Sequence, residues 1–297
     1  MEEIKRKIEQ LLLKTQKPAR YIGGEHGSVV KDKSEVDVRF AFCFPDVYDV
    51  GMSHLGMKIL YGLKNSVPNW WCERVFMPEK DFEAHMRENN IPLYALESLD
   101  PLTEFDFIGF TLQYELSYTN VLAMLDLAGL PIYAKDRKAL TPIVVGGGPC
   151  VCNPEPMADF FDLFIIGEGE EVNIELLSLY EKMKPCNPSK EEFLREAAKI
   201  EGIYVPSFYN VEYNGDGTVR SVTPNIPEAP ERVKKRVIRD FNRVYYPESF
   251  VVPFTGIVHD RAVVEVLRGC IRGCRFCQAG FIYRPFREKN IDTITNE

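Results

Sequence analysis

The first half of the chain alternates between two spacings of its apolar residues. Short apolar runs rich in phenylalanine, valine and isoleucine are typical of buried strands. All but the fourth, which runs into a glycine loop, are followed by a segment whose apolar residues recur every three or four positions, as in a helix. Repeated strand–helix units predict an α/β fold, a Rossmann-like parallel sheet with helices on both faces, which binds ligands at the carboxyl ends of its strands. The predicted strands cover residues 36–45, 71–78, 105–113, 141–149 and 162–171, and the predicted helices cover 53–65, 79–89, 117–130 and 172–183.

Three residues mark the expected ends of helices. Ser53 is the expected N-cap of the helix over 53–65, because a serine oxygen accepts a backbone hydrogen bond from the first turn. Gly129 is expected to end the helix over 117–130. Asp292 is the expected cap of a helix that begins near the end of the chain.

The same patterns divide the chain into four segments. Near the N-terminus, a charged stretch with apolar residues at helical spacing predicts a helix that docks on the domain. After the last strand–helix unit, two β-rich runs flank an Asn-Gly-Asp-Gly turn, which predicts a β-hairpin. The apolar run 261–269 then predicts one more buried strand. The segments are the docking helix (1–20), the α/β domain (21–184), a connector with the hairpin (185–260) and a final segment (261–297).

Composition excludes several classes of protein. The 297 residues are 45% hydrophobic and 27% charged, which is typical of globular proteins and not of disordered ones. No apolar run approaches the length of about 18 residues that a membrane span needs. The N-terminal stretch also lacks a signal-peptide core, so we predict a cytoplasmic protein without a membrane partner.

The net charge of −8 is distributed unevenly. Residues 231–289 carry 13 lysines and arginines against 6 acidic residues, so the rest of the chain is strongly acidic. Such a basic segment either docks an anionic partner or is a solvated surface. An RNA-related substrate therefore stays open.

Three of the eight cysteines, Cys270, Cys274 and Cys277, form a C-x3-C-x2-C cluster near the end of the chain. Soft thiolates suit zinc and iron–sulfur clusters. Structural zinc needs four protein ligands, with His259 or another cysteine as the fourth, whereas a 4Fe–4S cluster held by three thiolates leaves one iron open to a small molecule. A cluster that only transfers electrons is a third alternative. The remaining cysteines are expected to be structural thiols.

Glycine and polar residues gather at the predicted carboxyl ends of the strands. Gly146 and Gly147 follow the fourth strand, Thr111 ends the third, and His54 lies in the long loop after the first. Thr111 either lines a ligand crevice or packs against it, and a lone histidine in such a loop is more often structural than a metal ligand. The glycines do not match the dinucleotide fingerprint. A second glycine loop, 167–169, is flanked by glutamates, which argue against a bound anion there.

Four stretches together resemble a known family. "FCFPDVYDVGMSHLG", "IGFTLQYELSYTN", "VVGGGPC" followed by "CNPEP", and "FIIGEGEE" are similar to the cobalamin-binding-type N-terminal domain of radical S-adenosylmethionine (SAM) proteins, in particular an uncharacterised bacterial group. The resemblance implies cofactor-binding residues at Gly146, Gly147 and His54. In that family the histidine of a D-x-H-x-x-G motif can ligate cobalt, but this chain has Met52 in place of the aspartate and Gly56 one position early. We therefore predict that His54 does not ligate cobalt; cobalamin either binds without a histidine ligand or has been lost from the fold.

The cysteine cluster resembles the radical SAM motif, in which an aromatic residue, here Phe276, precedes the last cysteine. The resemblance implies that Cys270, Cys274 and Cys277 bind a 4Fe–4S cluster, that SAM binds its open iron beside Phe276, and that one electron then yields a 5′-deoxyadenosyl radical. It also implies an electron donor of the flavodoxin or ferredoxin type. The neighbouring arginines, Arg268, Arg272 and Arg275, are expected to offset the charge of the cluster and donate to its sulfurs.

On this resemblance, residues 261–297 begin a radical SAM (β/α) barrel of which this chain holds the first strand and helix. We therefore expect the chain to be truncated and inactive alone. The alternative is a non-catalytic corrinoid- or nucleotide-binding module with a structural metal site. Neither the substrate nor a catalytic side chain is readable from the sequence.

Overall fold

Five apolar runs lie side by side in one sheet, because a strand buried on both faces satisfies its backbone only against neighbouring strands. The computed structural model describes residues 2–297, so Met1 of the predicted docking helix lies outside it. A sixth strand completes the order β2-β1-β3-β4-β5-β6, in which β6 runs antiparallel to β5 and the other neighbours are parallel. The strands are β1 (Val38–Phe44), β2 (Trp70–Phe76), β3 (Phe107–Thr111), β4 (Ile143–Gly147), β5 (Leu163–Ile165) and β6 (Ile203–Tyr204).

Helices cover both faces of this sheet, which confirms the predicted α/β fold. The third and sixth helices pack together on one face. The right-handed rule for parallel crossovers places the fourth and fifth on the other, where Arg87 and Asp126 join them through an ion pair of 2.7 Å. No helix within residues 2–297 is long and apolar enough to cross a membrane. The helices are α1 (Glu2–Leu12), α2 (Tyr48–Gly51), α3 (Leu55–Asn65), α4 (Lys80–Glu88), α5 (Tyr118–Leu127), α6 (Gly169–Met183), α7 (Lys190–Ala197), α8 (Ala279–Ile282) and α9 (Ile291–Asn296).

The N-terminal helix docks as its pattern predicts. α1 buries Ile8 and Leu11 in the main core, and it ends at Leu12, earlier than the predicted segment 1–20. A single turn of 3₁₀-helix at Pro18–Arg20 follows it.

Two of the three predicted helix ends are wrong. His54 caps α3 instead of Ser53: its Nδ1 accepts a hydrogen bond from the N–H of Met57 at 3.1 Å. Ser53 is engaged elsewhere, because its hydroxyl donates to the carbonyl of Asp49 at 2.7 Å. α9 likewise begins after Asn290, whose side chain accepts from its first turn, and not after a cap at Asp292. The end of α5 at Gly129 is confirmed, with φ at +71°.

The sheet continues beyond residue 184. α7 packs on α6, and β6 pairs with β5, so residues 190–204 of the predicted connector complete the sheet. The predicted hairpin is confirmed further along, as β7 (Tyr209–Tyr213) and β8 (Val219–Pro224). The predicted β-rich run over 203–213 therefore forms two strands. Its first residues pair with the exposed edge of β5 as β6, and the later residues form β7 of the hairpin.

The apolar run 261–269 is not the buried strand that its composition predicts. Its ordered part is β9 (Leu267–Arg268), which pairs antiparallel with β10 (Arg287–Glu288). Val264, Val266 and Leu267 are 39%, 46% and 46% exposed. Apolar side chains are buried only where a second layer covers them, and within residues 2–297 no other strand pairs with this run. The predicted first strand and helix of a barrel are replaced here by a two-stranded ribbon and the short α8.

A buried arginine joins the sheet to the loops around it. Arg74 of β2 is 2% exposed. Its Nη2 lies 2.7 Å from Oε2 of Glu25, and its Nε lies 2.6 Å from Oε1 of Glu97. Burial raises the pKa of Glu25, but the hydrogen bonds and the charge attraction of Arg74, together with further hydrogen bonds, outweigh it, so the net pKa lies below the ordinary carboxyl value. Losing the arginine would leave two carboxylates buried without a counter-charge.

We expect Arg74→Met to lower the free energy of unfolding by about 3–5 kcal/mol, since breaking a buried pair strands its partner charge. The matched control is Arg87→Met, because Arg87 is half exposed and its pairs with Glu83 and Asp126 are exposed to solvent; that loss should be about 0–1 kcal/mol. Urea unfolding followed by circular dichroism measures both. Equal losses for the two variants would contradict the role given to Arg74.

Candidate functional site

A cleft of about 460 Å³ opens at the carboxyl edge of the sheet. Its walls are α3, α6 and the segment 265–283, and aromatic side chains of β1 and β3 form an apolar floor. Small-molecule sites typically measure about 300–1,000 Å³, and open α/β sheets bind ligands at this edge. The cleft is therefore the candidate ligand site.

Three of the predicted cofactor residues, His54, Thr111 and Gly147, line this cleft together. The hydroxyl of Thr111 accepts a hydrogen bond from Nε2 of Gln113 at 2.5 Å. A Cβ on Gly147 would meet no described heavy atom within 4 Å, so the backbone stays open to the cleft. The next residue, Gly148, adopts φ +99°, which favours glycine. The glycine loop thus shapes the entrance.

Gly146 and Phe276 lie elsewhere. A Cβ on Gly146 would lie 2.5 Å from Cδ1 of Phe164 and 3.2 Å from Cδ1 of Phe161, so this glycine makes room for aromatic packing and does not line the cleft. Phe276 is 93% exposed on the cysteine loop.

His54 has a structural task at the entrance. Its Nδ1 accepts the N–H of Met57, so the neutral ring carries its proton on Nε2. Burial lowers the pKa of the ring, which keeps it neutral. A Cβ on Gly56 would lie 2.8 Å from Cε1 of His54, so the ring also needs that glycine. In this arrangement neither nitrogen offers a lone pair to a metal.

The three clustered cysteines lie on the loop between β9 and α8. Cys274 is exposed, and Cys270 and Cys277 are half-buried. Within residues 2–297 no group of three or more metal-ligating side chains is already gathered. The loop begins at Gly269, whose φ is +93° and where a Cβ would lie 2.7 Å from the carbonyl oxygen of Tyr283. The thiols are therefore close in sequence and accessible, and the start of their loop is fixed.

Five charged side chains, here called the glutamate–arginine cluster, hold the ends of that loop against the sheet. Arg268 of β9 pairs with Glu170 and, at 2.7 Å, with Glu265. Arg287 of β10 donates to Oε2 of Glu168 at 2.8 Å. The two arginines face each other across the ribbon and both lie over the ring of Phe241. The cluster is formed by Glu168, Glu170, Glu265, Arg268 and Arg287.

This cluster changes two expectations. Burial raises the pKa of Glu168, but hydrogen bonds from Arg287 and from the N–H of Ile238, together with the positive charges of Arg268 and Arg287, outweigh it and the net pKa is lowered, so the carboxylate is a charged anchor. Its role is to bind arginine, which the sequence did not reveal. Arg268, expected to donate to cluster sulfurs, is instead engaged by glutamates. The sequence feature that could have predicted these ion pairs is the acidic stretch "GEGEE" together with the basic segment 231–289.

The second glycine loop, 167–169, helps to hold the basic segment against the sheet. Gly167 adopts φ +113°, and a Cβ there would lie 2.2 Å from the carbonyl oxygen of Arg236. The side chain of Arg236 pairs with Glu171 at 2.8 Å and with Glu175 at 2.5 Å. Part of the basic segment is thus bound by the chain's own acidic helix α6.

Comparison with known proteins identifies the family. The family of radical SAM proteins, N-terminal, matches residues 56–206, which run from the start of α3 to just past β6 and include every strand of the sheet except β1. The chain belongs to this family. It is also similar to "Uncharacterized protein MJ0966" of Methanocaldococcus jannaschii, with 32% identity over 213 residues, 70% of this chain and 38% of that protein. This radical SAM N-terminal chain therefore spans well under half the length of that relative. No solved structure matches it.

We expect Glu168→Gln to loosen the ribbon while leaving the sheet folded. A charge-assisted hydrogen bond is worth roughly 1.5–3 kcal/mol, so amide exchange over 267–288 should become about tenfold faster or more. Because the pKa of Glu168 is depressed, its contribution is present above the ordinary carboxyl pKa and should fade as the pH falls below about 4. Hydrogen–deuterium exchange with mass spectrometry measures this.

The matched control for that variant is Glu191→Gln. Glu191 is exposed on α7 and pairs with Arg195 one helical turn away, so its loss should leave the exchange of 267–288 unchanged. Unchanged exchange in Glu168→Gln as well would show that the cluster does not hold the ribbon.

Proposed function

We propose that Cys270, Cys274 and Cys277 hold a 4Fe–4S cluster and that the chain is the cluster-binding part of a radical SAM enzyme. The observation that carries the proposal is the C-x3-C-x2-C spacing in a chain of the radical SAM N-terminal family. Thiolates are the soft ligands that such clusters use. Three of them leave one iron without a protein ligand, which is the position that SAM would take.

The donor loop fits such a cluster in its chemistry. The thiols are free and reachable, and a Cβ on Gly273 would meet no described atom within 4 Å, so the loop has room to close around a cluster. Arg272 and Arg275 are exposed beside the thiols and would offset the charge of three thiolates. When bound, a cluster of this kind supplies the electron that cleaves SAM to methionine and a 5′-deoxyadenosyl radical.

The chain's own part in that reaction is to hold the loop in place. Arg268 and Arg287 fix the two ends of the segment that carries the cysteines, and Gly269 turns it away from the ribbon. The expected electron donor is a flavodoxin or ferredoxin type protein. A cytoplasmic location suits the free thiols, since that compartment keeps them reduced. The exposed part of the basic segment, 231–289, is compatible with an RNA-related substrate.

The cleft supports a second candidate, binding of a corrinoid or nucleotide. Its place at the carboxyl edge is where such a cofactor would sit, with Gly147 and Thr111 at the entrance. His54 would lie beside a corrinoid without ligating cobalt, because its Nδ1 accepts a hydrogen bond from Met57 and its Nε2 carries the ring proton. In this alternative the chain is a non-catalytic module and the cysteines hold a structural metal.

Anaerobic reconstitution with iron and sulfide tests the main proposal. The wild-type chain should take up about four irons per chain, with the brown absorbance of a 4Fe–4S cluster, and adding SAM should change the electron paramagnetic resonance spectrum of the reduced cluster. Cys274→Ala should abolish stable uptake because it removes one of three ligands. Cys186→Ala is the control, since Cys186 is also an exposed thiol but lies outside the cluster.

Two results would count against the cluster. One is binding of a single zinc ion without iron uptake, which would favour the structural-metal alternative. The other is full iron uptake by Cys274→Ala, which would place the ligands elsewhere. A cluster whose spectrum does not respond to SAM would leave electron transfer as its task.

His54→Ala tests the corrinoid alternative. Losing the cap should lower the free energy of unfolding by about 1 kcal/mol, and His54→Asn, which can still cap α3, should recover most of it. The absorption spectrum of added hydroxocobalamin should be the same with wild type and His54→Ala, since no cobalt–histidine bond is expected. A spectrum that shifts in the alanine variant would show that the histidine does ligate cobalt.

A further inference from the structure

A lysine lies at the inner end of the cleft. Lys64 is on the buried side of α3, one turn after Leu60, and both side chains line the cleft. The residue is 1% exposed. Its Nζ lies 4.4 Å from the ring centre of Phe40 and 4.7 Å from that of Phe42. The ammonium therefore lies on an aromatic floor at the inner end of the cleft.

Lys64 makes no ion pair and no hydrogen bond with the described residues. Within residues 2–297, no carboxylate oxygen lies within 4.0 Å of its Nζ and no hydrogen-bond acceptor is in reach. Burial lowers its pKa to about 8, against weaker opposing effects of Cys72 and Glu170, so it stays mostly protonated at neutral pH. A buried cation of this kind is unfavourable unless it is paired.

The other charged groups around the cleft already have partners in the protein. Arg268 is matched by the glutamates of the glutamate–arginine cluster. Lys235 donates to the carbonyls of Ile282, at 2.7 Å, and Arg284. Lys64 is thus the charged lining residue, among those described, whose partner is still to be supplied.

The fold makes room for this arrangement. A Cβ on Gly109 of β3 would lie 2.3 Å from Cζ of Phe40, so glycine there lets the ring lie beneath the ammonium. Contacts between a cation and phenylalanine rings are weaker than a salt bridge in a dry site. A methionine would fill nearly the same space without an unpaired charge, so packing alone does not account for the lysine.

We propose that the cleft binds a small molecule that carries a carboxylate or phosphate group, and that the Lys64 ammonium pairs with this group while the apolar body lies against Phe40, Phe42 and Phe110. The inference rests on the cleft being a ligand site, as in the second candidate function, and does not depend on the iron–sulfur cluster. It assigns the chemical class of the ligand and the residue that selects it.

Paired probes of one shape test the proposal with the whole chain, free of iron. The probes are 2-naphthoate, 2-naphthyl phosphate and the neutral 2-naphthamide, and calorimetric titration gives their dissociation constants. We expect one or both anions to bind about tenfold or more tightly than the amide, as a charge-assisted contact in a dry site implies. The two anions separate a carboxylate ligand from a phosphate ligand.

Lys64→Met should remove the preference for the anions and leave amide binding within about twofold, while Lys64→Arg should keep the preference. The matched control is Lys58→Met. Lys58 is on the same helix and also lies over a phenylalanine ring, that of Phe250 at 5.4 Å, but it lines a different cavity. Its loss should leave all three constants unchanged.

A second measurement on wild type covers the case in which Lys64→Met does not fold. Reductive methylation read by mass spectrometry should be slowed at Lys64 by a bound anionic probe and not at Lys58. Equal binding of amide and anions, or a preference retained in Lys64→Met, would overturn the role of Lys64 while leaving the cleft a ligand site. Failure of all three probes to bind would overturn both.

Discussion

The pairing of acidic residues at the start of α6 with two arginines of the β9–β10 ribbon determines how the parts of this protein fit together. Glu168 and Glu170 lie where β5 ends and α6 begins, at the carboxyl edge of the sheet. Arg268 and Arg287 lie opposite each other in a ribbon of two residues per strand, which is too short to be stable alone. Without the glutamates the ribbon would have little to hold it. With them, it becomes the outer wall of the cleft and the base of the cysteine loop.

The same pairing sets the electrostatics of the cleft. The two arginines offset most of the negative charge that the three glutamates of the cluster would otherwise place at the entrance, and they do so in a partly desolvated site, where charge–charge interactions are stronger than in water. The apolar floor then holds a single unmatched cation at its inner end. A site of this form distinguishes ligands by charge at one end and by shape along the rest, which is the usual division of labour in small-molecule pockets.

The sequence predicts the sheet well and the site only in part. Continuous apolar runs such as that of β1 are strong signals, because burial on both faces leaves few alternatives. The cap of α3 was misassigned since Ser53 and His54 are neighbours and both can accept a hydrogen bond; tertiary contacts decide between them. Leu267 shows where an apolar pattern misleads. An apolar run forms a buried strand only where neighbouring strands pair with it and a second layer covers its side chains. The pairing of Glu168 with Arg287 spans 119 positions, and no local pattern predicts such a contact.

The position of the cysteines separates two requirements of a metal-binding loop. Ligands that are four and three positions apart need little chain to be ordered when they close around a metal, so affinity depends mainly on local sequence. The place of the loop in the molecule depends instead on the distant glutamates, which fix its ends before any metal binds. Because those glutamates also border the cleft, a change in the cleft that moves the first turn of α6 would move the cysteine loop with it. The ligand site and the base of the cysteine loop therefore have Glu168 and Glu170 in common, although none of the three clustered cysteines lines the cleft.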